Sequence, residues 1–343
     1  LVGNGIRLAC GDKILLKVLD KLMINVATTI FTADDLVTYE YPYYLGRQGV
    51  PGNELANKAI DNCDLLLIIG DRMQLTQTSY DYKNFAQNAY KIMVDIDKNE
   101  LEKEKLKIDL PIQMDAKLFL EGLLKEKIQI KRWNIKSNYI DIDKFDSEEK
   151  FLNVYRFLDI LGQKISRMNI ATSNGMASLA SHQSLKIKNG QRFITNAGLG
   201  HMGSGLPMAI GACFASDKSP TVCLEGDGSI MLNIHELQTI LYHKLPIKIF
   251  IFNNGGYFSI RNTHLNYFKK IFASDESSGL SLPNFSKIIP AWSIDYERIN
   301  NNEELYKLDK INKRGPIVFE LMIDPNQKMF PKWSANQFKD KQI

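Results

Sequence analysis

Apolar residues fall into short runs, and helical-period stretches lie between them. Residues 64–69, 221–225 and 247–252 are near-continuous apolar runs bounded by turn residues, the pattern of strands buried on both faces. Residues 91–97 form a further strand with acidic residues at its end, and 25–29, 169–173 and 192–195 are shorter ones. Helical spacing covers 12–22, 52–63, 151–165, 206–216 and 235–243, with Ala56, Ala59 and Ile60 on one face of the second. Residues 1–2 read as a strand end entering the turn Gly3-Asn4-Gly5. Strands that alternate with helices predict an α/β fold with two doubly wound parallel-sheet domains. The expected division is a Rossmann-like domain over 1–125, a polar linker of mixed charge over 126–150, and a second α/β domain over 151–343. A strand that opens at Leu1 without a run-in leads us to expect protein before residue 1, and the closing residues show no clear terminator.

Composition narrows the class. The 343 residues are 44% hydrophobic and 24% charged, which are globular values, and the formal net charge of +4 is spread along the chain. No nucleic-acid footprint is visible. No apolar run reaches membrane-spanning length and no signal peptide is evident, which points to the cytoplasm. Cys10, Cys63, Cys213 and Cys223 are far apart, form no CxxC, and read as buried thiols of a reducing compartment. The dinucleotide fingerprint is incomplete, because Leu8 stands where a third glycine should follow Gly3 and Gly5. A tight strand–helix turn explains those two glycines equally well. Asp95 and Asp97 are open to two readings, as contacts to a ribose or as helix caps.

The chemistry concentrates in the second half. Gly226-Asp227-Gly228 and Asn253-Asn254 are separated by 24 residues, and each closes an apolar run. The strand–helix–strand between them favours parallel strands and a right-handed crossover. Asp227 and Asn254 should then emerge at one carboxyl edge, where α/β sheets bind ligands. A carboxylate, an amide oxygen and a backbone carbonyl suit a hard cation such as Mg²⁺ that keeps phosphate oxygens as further ligands. Gly228 and Ser229 offer backbone N–H groups to a phosphate. Upstream, Gly198, Gly200, Gly203 and Gly205 crowd into eight residues, with the bulky Met202 among them. Glycines there allow close backbone approach to a ligand.

These segments, with Asn174-Gly-Met-Ala-Ser178 and the stretch from Asn253 to Thr263, resemble the acetolactate-synthase-like thiamine-diphosphate enzymes. The nearest branch resembles that of surface-polysaccharide gene clusters. The resemblance implies a central Rossmann-like domain and a diphosphate-binding domain, with the family's N-terminal pyrimidine-binding domain outside this chain. It implies Mg²⁺ at Asp227, Asn254 and the Gly256 carbonyl. It implies thiamine diphosphate against Gly175, Met176, Ala177, Gly226, Gly228, Ser229 and Tyr257. Gly200 should offer its carbonyl to the aminopyrimidine, Met202 should wedge between the two rings, and Ile260 should sit near the thiazolium. The glutamate that protonates the pyrimidine has no counterpart here, so the chain alone is expected to be inactive and to complete its site across a homodimer or homotetramer.

The implied reaction is decarboxylation of a 2-keto acid, with pyruvate the expected donor, followed by carboligation to a second carbonyl. The acceptor could be another pyruvate or a keto-sugar nucleotide. Thr263 stands where acetolactate synthases of branched-chain biosynthesis carry a Trp. The segment from Gly70 to Gln77 departs from the Arg-Phe-Asp-Asp-Arg type of flavin-containing synthases, which leaves FAD open. The competing readings are that anabolic synthase itself, a cofactor-binding module without turnover, and an NAD-linked oxidoreductase built on the first domain. His201 beside Met202 is a candidate acid or base, against a plainer reading as a loop side chain facing away. Glu236 is explained by the helix dipole and by packing.

Overall fold

The apolar runs near 221 and 247 become neighbouring parallel strands, as their spacing predicts. The computed structural model describes residues 1–30, 36–130, 135, 145, 147–196, 198–330 and 332–339. Two compact units form, residues 1–140 with 330–343, and residues 141–329. Most of the expected linker (131–134, 136–144 and 146) lies outside the described residues.

In the first unit, β1 (Val26–Thr29) pairs in parallel with β2 (Tyr44–Gln48), while β3 (Leu65–Ile69), β4 (Tyr90–Asp95) and β5 (Leu110–Gln113) form a parallel trio. The strand expected at residues 1–2 is reduced to a bridge at Val2, which touches Thr28 on one side and Ile69 on the other and so joins the two groups. The helix Asp12–Leu22 buries Leu15, Val18, Leu19 and Leu22 on one face, and Glu54–Asn62 buries Ala56, Ala59 and Ile60. Asp97 caps the helix Lys98–Leu101 by accepting from the Asn99 amide. That is the capping alternative of the two readings.

Three elements of this unit carried no signal of their own. β2 buries the polar Arg47 and Gln48 and turns through Gly46 at φ +100°. β5 is a four-residue edge strand containing Pro111, largely exposed, where a missing N–H is harmless. The helix Ala116–Lys125 is capped by Asp115, which accepts from the Lys117 and Leu118 amides. Cys10 is exposed, against the expectation of four buried thiols, and all four cysteines are free.

The second unit is one sheet of six parallel strands. Its order is β10 (Asp295–Ile299), β11 (Ile317–Met322), β9 (Ile247–Asn253), β8 (Thr221–Gly226), β6 (Asn169–Thr172), β7 (Phe193–Thr195). The central strands are buried almost throughout, which is why their sequences read as apolar runs. Phe250 and Phe319 stack across β9 and β11 at 4.9 Å, and Phe157 of the helix Val154–Lys164 packs on Phe250 at 5.2 Å. The helical stretch expected at 235–243 divides into a 3₁₀ turn, Ile234–Glu236, and the α-helix Leu237–Tyr242. Among the described residues no helix is long and apolar enough to cross a membrane.

The second domain was expected to run to residue 343, but the final segment belongs to the first unit. Trp333 is the reason. Its ring is buried against Phe85, and its indole N–H donates to Asp61 Oδ2 at 3.1 Å. The Asn336 and Phe338 amides donate to the same carboxylate at 3.1 Å each. Truncation of a buried tryptophan costs about 3–5 kcal/mol, so Trp333→Ala should lower the denaturant midpoint of the first unit markedly. Circular dichroism during urea unfolding checks this, and an unchanged midpoint would show that the segment adds no stability.

Candidate active site

The carboxyl ends of β6, β8 and β9 meet at one edge of the second sheet. From β6 the chain passes to β7 on one side, then returns to β8 on the other, so the sheet has its topological switch point between β6 and β8. A cleft opens there. Asn174, Gly175, Met176 and Ala177 line it from the turn after β6, and Gly226 to Ser229 from the turn after β8. Asn254 and the segment Gly256 to Ile260 contribute from the turn after β9, and Met202 from the glycine-rich loop.

The structure thus gathers every expected site residue but one around the cleft. Gly200 is the exception. Its carbonyl accepts a 2.9 Å hydrogen bond from Asn174 Nδ2, and Gly200 is not part of the lining. Sequence reasoning missed Asn174, Phe252, Phe258 and Ser259 as lining residues, although each adjoins a residue it singled out. The loop histidine takes its plainer reading: His201 is exposed, its ring nitrogen meets Asn196 Nδ2 at 2.9 Å, and it does not line the cleft. His182 is buried on its helix, with Nδ1 donating to the Ser178 carbonyl.

Asp227 sits at the centre. Oδ1 accepts from its neighbour Gly228 N at 2.6 Å, and Oδ2 accepts from Asn254 N at 3.1 Å and Gly256 N at 2.9 Å. One carboxylate therefore holds the turn after β9 to the turn after β8. Burial raises the Asp227 pKa to about 6 despite these donors. Glu225, two residues earlier and fully buried, is raised by burial to about 7.

Two glycines are fixed by close approach. A Cβ on Gly228 would lie 2.2 Å from the Tyr257 ring, and one on Gly256 (φ +133°) would lie 2.2 Å from the Ser274 carbonyl. Gly175 (φ +63°) opens the helix Gly175–Ser184, and a Cβ there would meet nothing within 4 Å, which leaves an open cradle. The first-turn N–H groups of that helix have no intrahelical partner and suit a phosphate.

Asn254 supplies the clearest sign of a cation site. Its Nδ2 leans on Met176 Sδ at 3.9 Å, while its Oδ1 is buried with no hydrogen-bond partner. A buried acceptor without a donor is costly unless something positive sits against it. Among the described residues no three His, Cys, Asp or Glu side chains gather as a metal site. A cation here could draw on Asp227, Asn254 Oδ1, a backbone carbonyl and the oxygens of a bound phosphate. That donor set is all oxygen, as Mg²⁺ requires.

Two family models match the chain. Residues 1–123 match the thiamine pyrophosphate enzyme central domain, and residues 173–321 match the thiamine pyrophosphate enzyme C-terminal TPP binding domain. This chain belongs to the thiamine pyrophosphate enzymes. The cleft lies within the C-terminal match, and thiamine diphosphate is the cofactor of that domain. Among its relatives, the probable acetolactate synthase large subunit of Methanococcus aeolicus is 30% identical over 353 residues, spanning 95% of this chain and 58% of that protein. The acetolactate synthase large subunit of Cyanidium caldarium is 30% identical over 347 residues, 96% of this chain and 58% of its own length. The acetolactate synthase isozyme 2 large subunit of Escherichia coli K12 is 29% identical over 300 residues, 86% and 54% respectively. The chain therefore spans little more than half the length of these relatives.

A sequence-only view leaves the Asp227 carboxylate without a structural partner, so that its loss would spare folding. The three N–H donors correct that. Asp227→Ala strands them, each at about 1–3 kcal/mol, while it also relieves a desolvated carboxylate. The melting midpoint of cofactor-free protein should fall by several degrees, and Asp227→Asn, which keeps an oxygen acceptor, should lose less. Differential scanning calorimetry of both variants decides, and an alanine variant that melts like the wild type would refute the structural role.

Proposed function

We propose that this chain forms the diphosphate- and cation-binding part of a carboligase that decarboxylates pyruvate and joins the two-carbon fragment to a second carbonyl compound. The observation that carries this reading is the convergence of the open Gly175 cradle, the unpartnered Asn254 Oδ1 and Met202 on one cleft. The relatives named acetolactate synthase large subunit support the same chemistry.

In this reading Asp227, Asn254 and the Gly256 carbonyl would hold Mg²⁺ beside the diphosphate. The amides of Gly175, Met176 and Ala177, with Gly228 and Ser229, hold the diphosphate. When bound, thiamine diphosphate supplies a carbon nucleophile able to accept the electrons released by decarboxylation. The chain's own part is orientation. Met202, which lines the cleft, would lie against the bound cofactor and set its conformation. Tyr257 covers Gly228, and Ile260, 41% exposed at the mouth, gives the reacting carbons an apolar wall.

The acceptor is set at the outer end. Thr263 is exposed one turn beyond Ile260, in the place where branched-chain synthases carry Trp, and Ser259 adds a hydroxyl to the cleft mouth. A smaller, more polar entrance favours an acceptor bulkier and more hydroxylated than a second pyruvate, such as a keto-sugar nucleotide. FAD stands outside the proposal. Among the residues that line the cleft, Asp227 is the one carboxylate, and it is committed to backbone and cation. The acid that protonates the aminopyrimidine is thus assigned to protein beyond these residues or to a second subunit of a homodimer or homotetramer.

Met202→Ala should lower kcat far more than cofactor affinity, because the diphosphate and cation contacts stay intact. A misplacement on the order of 1 Å costs roughly a hundredfold in rate. Calorimetric titration with thiamine diphosphate and Mg²⁺, beside CO₂ release from pyruvate, separates the two. A variant that loses affinity while it keeps kcat would remove the wedge role. The 343-residue chain by itself should bind cofactor yet release CO₂ no faster than free thiamine diphosphate. Turnover by the chain equal to that of the intact protein would mean that the activating acid lies within it.

A further inference from the structure

Glu225 is an expensive residue for its position. It sits on β8 after Val222, Cys223 and Leu224, all three fully buried, and is itself fully buried. An apolar residue there would avoid the desolvation of a carboxylate, which is costly unless the group is paired or hydrogen-bonded. It does not line the cleft. What it touches is the set of loops that do.

Ser173, at the end of β6, donates its hydroxyl to Glu225 Oε1 at 2.6 Å. The Ser173 and Ser229 hydroxyls are 3.1 Å apart. Ser229 Oγ in turn accepts from the Gly203 amide at 2.8 Å, and Asn233 Nδ2 donates to the Gly203 carbonyl at 2.7 Å. On the other side the carboxyl meets the start of the helix Gly205–Ala215. A Cβ on Gly205 would lie 1.9 Å from Glu225 Oε2, so a side chain there would displace the carboxyl, and the Gly205 and Leu206 amides face it. The carboxyl thus lies at the N-terminus of an eleven-residue helix, where the first amides have no intrahelical partner.

Three segments thus take their register from one side chain. They are the turn that begins the Gly175 cradle, the loop that carries Met202, and the turn that carries Asp227. Met202 itself is flanked on its C-terminal side by Gly203, which is clamped through both its N–H and its carbonyl, and by Gly205, pressed against the carboxyl. We propose that Glu225 is a positioning residue, which sets Met202 against the diphosphate cradle without touching the cofactor. This rests on the reading that the cleft binds thiamine diphosphate with Met202 between its rings.

The distinction from a purely structural role is experimental. A structural residue lowers stability and scales activity with the folded fraction. A residue that acts through Met202 changes the geometry of the bound cofactor, and its effect disappears once Met202 is gone. The test is a double-mutant cycle on the intact protein with Glu225→Ala and Met202→Ala. Cofactor affinity is read by calorimetry with Mg²⁺, turnover by CO₂ release from pyruvate, and cofactor geometry by near-ultraviolet circular dichroism of the bound thiamine diphosphate. Glu225→Ala should lower kcat at least about tenfold and leave cofactor affinity within about threefold. Its near-ultraviolet spectrum should shift toward that of Met202→Ala. In the Met202→Ala background the further loss should stay below about twofold. Losses that multiply, or a wild-type spectrum in folded Glu225→Ala, would overturn the proposal. Should Glu225→Ala fail to fold, Glu225→Gln takes its place under the same criteria, since it keeps an acceptor for Ser173 but sets an NH₂ against the Gly205 and Leu206 amides. Wild-type protein that binds no thiamine diphosphate would sink both this inference and the functional reading, whereas binding and turnover with multiplicative losses would sink this inference alone.

Discussion

Asp227 binds two turns of the chain into one. Its carboxylate accepts N–H groups from Gly228 on its own turn and from Asn254 and Gly256 on the next. Those contacts exist because β8 and β9 are parallel neighbours in register, with Gly226 opposite Phe252, so that both strands end at the same height. Everything in the cleft is arranged around that pairing. The Gly256 backbone must pass within reach of the carboxylate, which drives it to a positive φ and against Ser274, and only glycine survives there. Gly228 is pressed under Tyr257 for the same reason.

The second sheet was legible because its physics is local. A parallel strand buried on both faces must be apolar along its length, so 221–225 and 247–252 declare themselves. Asp227 and Asn254 follow without further information, because polar residues that end such strands have one place to go. The glycines around Met202 were legible for a similar reason, since close backbone packing leaves few substitutes. β10 was harder. Its sequence, Asp-Tyr-Glu-Arg-Ile, is edge-like and polar, and it is held by Glu320 of β11, which accepts from Arg298 Nε at 2.8 Å. No periodicity announces a strand whose polar side chains are satisfied by the next one.

What stayed hidden depends on distant partners. Arg47 and Gln48 are fully buried in β2, and the Gln48 amide group donates to the Gln77 carbonyl, 29 residues away in sequence. Such residues look like loop until the partners are known. Trp333 reads as part of a polar tail, yet its indole donates to Asp61, 272 residues away in sequence. Asp61, in turn, has the sequence context of a solvated helix residue. The carbonyl of Gly200 was expected to face a ligand, but whether Asn174 reaches it is a matter of loop geometry that composition does not encode.

The neighbourhood of the cleft holds polar groups whose burial is costly. Asn254 Oδ1, just past the end of β9, is buried without a hydrogen-bond partner, and Glu225 Oε2, near the end of β8, is buried against the start of the helix Gly205–Ala215. Asp227 between them is held above the ordinary carboxylate range by burial. Each of these groups carries a desolvation cost, which for Asp227 is offset by its three N–H donors. Their demands nonetheless differ. Glu225 Oε2 faces the amides at a helix start, a partial positive charge supplied by the protein itself. Asn254 Oδ1 and Asp227 face the cleft, and no Lys, Arg or His is among its lining residues. The same strand edge therefore holds one polar group that orders the loops from behind and two that wait on a ligand in front. Binding of a cation with its phosphate would relieve the latter pair, and that relief is measurable as stabilisation of about 2.7 kcal/mol at a hundredfold excess over Kd.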